Sequence, residues 1–95
     1  MPRPDLSDRS SVPAPVLQRP RTSYIVVRQE DVWFIRFEGE EYGPYRTERE
    51  AKLFAIDAAH LLAEQGEATQ VLMLDESGEL RPAWTHGQDP YPPRL

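Results

Sequence analysis

Ser23-Tyr-Ile-Val-Val-Arg-Gln29 and Val32-Trp-Phe-Ile-Arg-Phe-Glu38 are two short runs dominated by apolar residues, with only Glu30-Asp31 between them. β-Branched and aromatic side chains suit a pleated surface, so this pair predicts a short hairpin. A two-residue turn pairs Gln29 with Val32, Val27 with Phe34 and Val26 with Ile35. Tyr24, Val26, Trp33, Ile35 and Phe37 then share one face, and Ile25, Val27, Val32 and Phe34 share the other. Glu-Asp is a poor type I′ turn beside Asn-Gly, which leaves a longer loop as the alternative. Gly39 permits another turn, after which Glu41 to Tyr45 form a short edge strand interrupted by Gly43-Pro44.

The period changes at Thr47. Thr47-Glu-Arg-Glu50 has the spacing of a capping box, in which the threonine hydroxyl accepts from the Glu50 amide and the glutamate reaches back to Thr47. The helix runs to about Gln65 and ends at Gly66. Ala51, Phe54, Ala55, Ala58, Leu61 and Leu62 recur at helical spacing as the expected buried stripe, with Leu53 and Ile56 leaning outward. Thr69 to Asp75 is apolar on both faces, the mark of an interior strand. Asp75-Glu-Ser-Gly78 is a turn, and Glu79 to Thr85 returns as a peripheral strand bearing Pro82. The pattern predicts an α+β fold, a mainly antiparallel sheet of four or five strands with one helix packed on one face (β-β-(β)-α-β-β).

Composition narrows this to one small domain. Of 95 residues, the first 21 contain five of the ten prolines, with Ser, Asp and Arg between them. Such a segment buries too little apolar surface to offset its ordering entropy, so residues 1–21 read as a disordered arm. The domain then spans 22–86, and 87–95 form a proline-rich tail with polyproline character. The sequence has no cysteine and shows no signal-peptide core or membrane-spanning run, which makes the cytoplasm the expected location. The arm has four arginines against two aspartates, whereas residues 22–95 have seven basic and fourteen acidic residues, +2 and −7 respectively. An acidic domain repels a phosphate backbone, so nucleic acid is a disfavoured partner for the folded part.

These residues, in this order, resemble a small bacterial family catalogued as domain of unknown function 2188, over roughly residues 24–93. The resemblance is carried by Trp33 after the first turn, by Thr47 with Glu50-Ala51 at the helix start and by Gly78 in the second turn. Its most specific part is the tail Gly87-Gln-Asp-Pro-Tyr-Pro-Pro93. The resemblance implies a sheet-plus-helix domain and brings no activity, cofactor or catalytic residue with it.

Candidate chemistry is sparse. His60 with Asp57 and Glu64 has the spacing of shared metal ligands, but no third strong ligand can be named, and an ordinary polar helix face explains the trio. His86 has no nucleophile near it in sequence. Asp75 to Gly78 lacks the alternating oxygen ligands and distal glutamate of a calcium loop. Glu38 to Glu41 is a solvated turn. Trp33 is expected beneath the helix, with Arg28 stacked at its rim. No catalytic residue, metal ligand or cofactor is therefore expected.

The feature that calls for a partner is the second sheet face. Ile25, Val27, Val32 and Phe34 cannot be covered by a helix on the opposite side, and exposed apolar patches of this kind mark partner surfaces. The alternative is that the chain covers the patch itself, with Tyr91, Pro92 and Pro93 of the tail, or the arm, folding over it. The reading is a non-enzymatic protein-interaction or assembly module, with an unknown protein or a second copy of itself as partner and a homodimer as the simplest form. A nucleic-acid accessory role for the basic arm is the alternative, and metal-dependent or hydrolytic chemistry a distant third.

Overall fold

The computed structural model describes residues 21–95, so the reading of 1–20 as an arm lies outside the described residues. Arg21 belongs with the domain: its Nη1 donates to the carbonyls of Thr69 and His86, at 3.3 and 3.4 Å. Five strands and one helix follow in the order β1 (Thr22–Gln29), β2 (Val32–Phe37), β3 (Glu40–Tyr45), α1 (Glu48–Ala63), β4 (Thr69–Leu74) and β5 (Leu80–Thr85). They form a single sheet in the spatial order β3-β2-β1-β4-β5. Three of the four pairings are antiparallel; β1 with β4 is parallel. The α+β class and the five-stranded alternative are thus realised.

The first hairpin has the expected register, Val26 opposite Ile35, Val27 opposite Phe34 and Gln29 opposite Val32. Glu30 takes a positive φ of 59° to close its two-residue turn, and Arg28 Nε donates to its carbonyl at 2.8 Å. That bond commits Arg28 to the turn rather than to the stacking on Trp33 that its position suggested. The third strand forms with a bulge opposite Trp33 to Ile35. Gly43 makes this bulge possible: its φ is +133°, and a Cβ there would lie 3.0 Å from the Trp33 carbonyl oxygen and 3.1 Å from Phe34 Cδ1.

The helix starts as expected, with Thr47 Oγ1 accepting from the Glu50 amide at 3.0 Å. Glu50 reaches back one residue further than the capping-box pattern implies and accepts from the Arg46 amide. The buried stripe needs correction. Ala51, Ala55, Ile56, Ala59 and Ala63 face the sheet, whereas Phe54 and Leu61 are 53% and 60% exposed. At 100° per residue, the buried arc is rotated by about 90° from the expected one. With alanines on both arcs, apolar spacing alone did not decide between them. The helix lies chiefly over β1 and β4, so its small-residue arc meets those strands and Ile56 is carried inward. Phe54 and Leu61 are left over the β3 side.

Tyr24, Val26, Ile35 and Val71 form the sheet side of the core, joined by Trp84, which is only 2% exposed. Trp33 is half-buried against this cluster, as expected beneath a helix. Thr69, fully buried, donates its hydroxyl to the Ala59 carbonyl at 2.9 Å and ties β4 to the last turns of the helix.

Candidate functional site

Strand parity and register bring the four predicted interface residues together. Val27 pairs with Phe34 and Gln29 with Val32 across the first hairpin, while Ile25 pairs with Leu72 across the parallel junction. The same alternation adds Leu72 and Leu74 of β4 to this face, with Leu80 of β5 opposite Leu74. Ile25, Val32, Phe34, Leu72 and Leu74 are half-buried, and Val27 at the centre is 1% exposed although it lies outside the core beneath the helix.

The apolar strip has polar ends. Ser23 and Gln70 are joined by a 2.9 Å hydrogen bond from Gln70 Nε2 to the serine oxygen. On the β3 side, Arg36 pairs with Glu41 at 2.9 Å, and Gln29 donates to the same carboxylate. Both sheet edges are broken, β3 by Gly43-Pro44 and β5 by Pro82, which has no amide to donate. Strand addition at an edge is therefore disfavoured relative to contact through the face.

The tail does not cover this face, contrary to the alternative drawn from Tyr91, Pro92 and Pro93. It turns back on the helix side instead. Asp89 Oδ2 accepts from the Thr85 amide at 2.8 Å, and the Pro90 carbonyl accepts from Trp84 Nε1 at 2.9 Å. The Tyr91 ring stacks on His60, with centroids 3.7 Å apart and planes 6° from parallel, and its hydroxyl donates to Asp57 at 2.7 Å. That bond, ahead of desolvation and the nearby charges of Asp57 and Glu64, pushes the Tyr91 hydroxyl above its ordinary pKa. The physical reason for the docking site is Trp84, whose indole N–H needs an acceptor and whose ring needs a cover. Trp84 had not been singled out in the sequence. Its signal was a large aromatic two residues beyond a strand proline, followed by a glycine turn leading back over it.

The metal-ligand reading of the helix trio does not assemble. Asp57 is engaged by Tyr91, and His60 Nε2 sits 3.3 Å from Glu64. No cluster of three or more potential ligands occurs among the described residues. His86 lies beside Trp84 and His60, at ring separations of about 6 Å, with no nucleophile on either. Asp75 is a turn organiser: Oδ1 accepts from the Ser77 amide and hydroxyl and the Glu79 amide, and Oδ2 from Arg81 Nε at 2.7 Å. The Arg81 bond first, then those from Ser77 and Glu79, holds its carboxyl well below the usual range. No helix among the described residues is long and apolar enough to cross a membrane. No family model, curated protein or solved structure matches this chain.

Proposed function

We propose that this domain is a non-enzymatic interaction module whose working surface is the sheet face opposite the helix, and that it assembles with a second copy of itself. The observation that carries the reading is the continuity of Ile25, Val27, Val32 and Phe34 into Leu72 and Leu74, with the helix and tail both committed to the other side. Apolar surface left in water costs about 25 cal/mol for each Å², so the part-exposed area of Ile25, Val32, Phe34, Leu72 and Leu74 rewards burial. A two-fold axis sets the strip against itself, and the flanking Arg36 and Glu41 are then available for polar contacts at the rim.

Membership of the family catalogued as domain of unknown function 2188 is part of this proposal and adds no activity to it. The cysteine-free sequence is consistent with a reducing, cytoplasmic setting.

Light scattering on the full chain tests the reading. A dimer is expected that Phe34→Glu and, separately, Leu72→Glu convert to folded monomer, because a carboxylate cannot be buried unpaired in a dry interface. Circular dichroism verifies folding of each variant. A monomeric parent, or a dimer indifferent to both substitutions, would overturn the proposal.

A further inference from the structure

The rotation of the helix builds a second surface, on the opposite side of the sheet from the proposed interface. Tyr24, Phe37, Tyr42, Tyr45 and Phe54 line a groove of about 350 Å³ between α1 and the β3 edge, floored by Ile35, Ala55 and Ala58. The rings are ordered: Tyr24 and Phe37 stack at 4.1 Å and 4° from parallel, and Tyr45 stacks with Phe54 at 5.2 Å. Tyr42 and Phe54 are about half exposed, and Leu61, two turns along the helix from Phe54, extends the apolar line. Tyr24 belongs to the core, and Phe37 and Tyr45 pack against it, so the groove runs from the core out to Tyr42 and Phe54, the two rings whose exposed area nothing on the helix or sheet uses.

Among the described residues, no charged residue lines the groove itself; Glu38 and Glu40 lie just beyond its Phe37 end, where the neighbouring Arg36 is already paired with Glu41. Glu40 pairs with Phe37 across the β2–β3 hairpin and shares its face, while Glu38 is close enough for its charge to act on the Tyr24 hydroxyl. Aromatic faces carry negative quadrupoles, and with carboxylates at the rim they select a cation. The groove is open and its stacked pairs present flat faces, which suits a planar guanidinium better than a compact ammonium. The apolar remainder suits an extended segment such as polyproline, which docks on aromatic grooves with little entropy to lose.

We propose that this groove is a docking site for an extended peptide of a partner protein, one that places an arginine among prolines or other apolar residues. The arginine stacks at the Tyr42 end, near Glu38 and Glu40, and the apolar residues lie along Phe54 and Ala58. The assignment is independent of self-association through the Phe34 face, and the two fail separately.

Titration of the isotopically labelled full chain with the synthetic peptide acetyl-Pro-Pro-Arg-Pro-Pro-amide, followed by nuclear magnetic resonance, tests it. Shifts are expected at Tyr24, Phe37, Tyr42, Tyr45 and Phe54, with none across Ile25 and Phe34. Replacing the peptide arginine by its neutral isostere citrulline should weaken binding at least about fivefold, as should Glu38→Gln with Glu40→Gln. Phe54→Ala, at a largely exposed position, should abolish the shifts while the fold persists. Equal binding of the citrulline peptide overturns the proposal. So does the absence of shifts at about 5 mM peptide, a concentration that occupies most of a site with a Kd of about 1 mM. Groove signals that move on dilution without peptide would identify a second copy as the occupant and overturn it equally.

Discussion

Asp75 shows how much one residue can organise. Its carboxylate receives the Ser77 and Glu79 amides, the Ser77 hydroxyl and Arg81, so four donors of the β4–β5 turn converge on it. Its folded-state pKa lies below the unfolded value of roughly 4, and the sign of the linkage follows. The stabilisation is fully present above the unfolded pKa and is lost as pH falls through the lower folded value. Asp75→Asn should therefore lower the melting temperature at neutral pH and flatten the acid limb of the stability profile. Melting curves from pH 7 to pH 2 check both. Asp75 is half-buried at the end of β4, away from the core cluster, so the effect concerns the turn rather than the core.

At the scale of elements, the helix separates what periodicity can and cannot determine. Its start was legible because a cap is a local device: Thr47 and Glu50 are three residues apart wherever the helix packs. Its buried face was not, because alanines populate both candidate arcs and only the position of β1 and β4 chooses between them. The choice has a measurable consequence. Ile56→Ala should cost about 2–5 kcal/mol, as a fully buried truncation does, whereas Phe54→Ala should cost about 1 kcal/mol or less. Urea denaturation of the two variants gives the comparison, and the reverse order would place the helix on the arc expected from spacing.

The tail is a second element whose fate was set elsewhere in the chain. Its prolines announce an extended segment, but its destination depends on Trp84, His60 and Asp57. Truncation after Gly87 removes the cap on the indole. It should lower the melting temperature by about 4–8 °C, the shift that accompanies roughly 1 kcal/mol in a domain of this size. The Trp84 emission should move to the red, and the Phe34 face should be unaffected. Increased self-association of the truncated chain would mean that the tail covers the sheet strip after all. Because the Tyr91 hydroxyl is raised in pKa, its contribution is present below the ordinary tyrosine value and is lost as pH rises through the folded one. Loosening of the tail belongs on the alkaline side.

For the molecule as a whole, the two faces of the sheet have different histories. One is closed by the helix and, at its β5 end, by the tail; the other retains Ile25, Val27, Val32 and Phe34 with Leu72 and Leu74. The sequence by itself determined the alternation within each strand, the first hairpin register, the helix cap and the gathering of Ile25, Val27, Val32 and Phe34 on one face of the sheet. Each depends on residues close in the chain or on period-two geometry, which does not change with context. Only the tertiary structure decided that β1 and β4 lie side by side and parallel, that Leu72 rather than Val71 joins the face opposite the helix, and that Phe54 turns outward to complete an aromatic groove. Those outcomes depend on matching surfaces between different elements, the β1–β4 pairing above all. The close approach of an alanine-rich helix, the bulge that only Gly43 permits opposite Phe34 and the acceptor required by the Trp84 indole are all relations between surfaces, and no single segment encodes them.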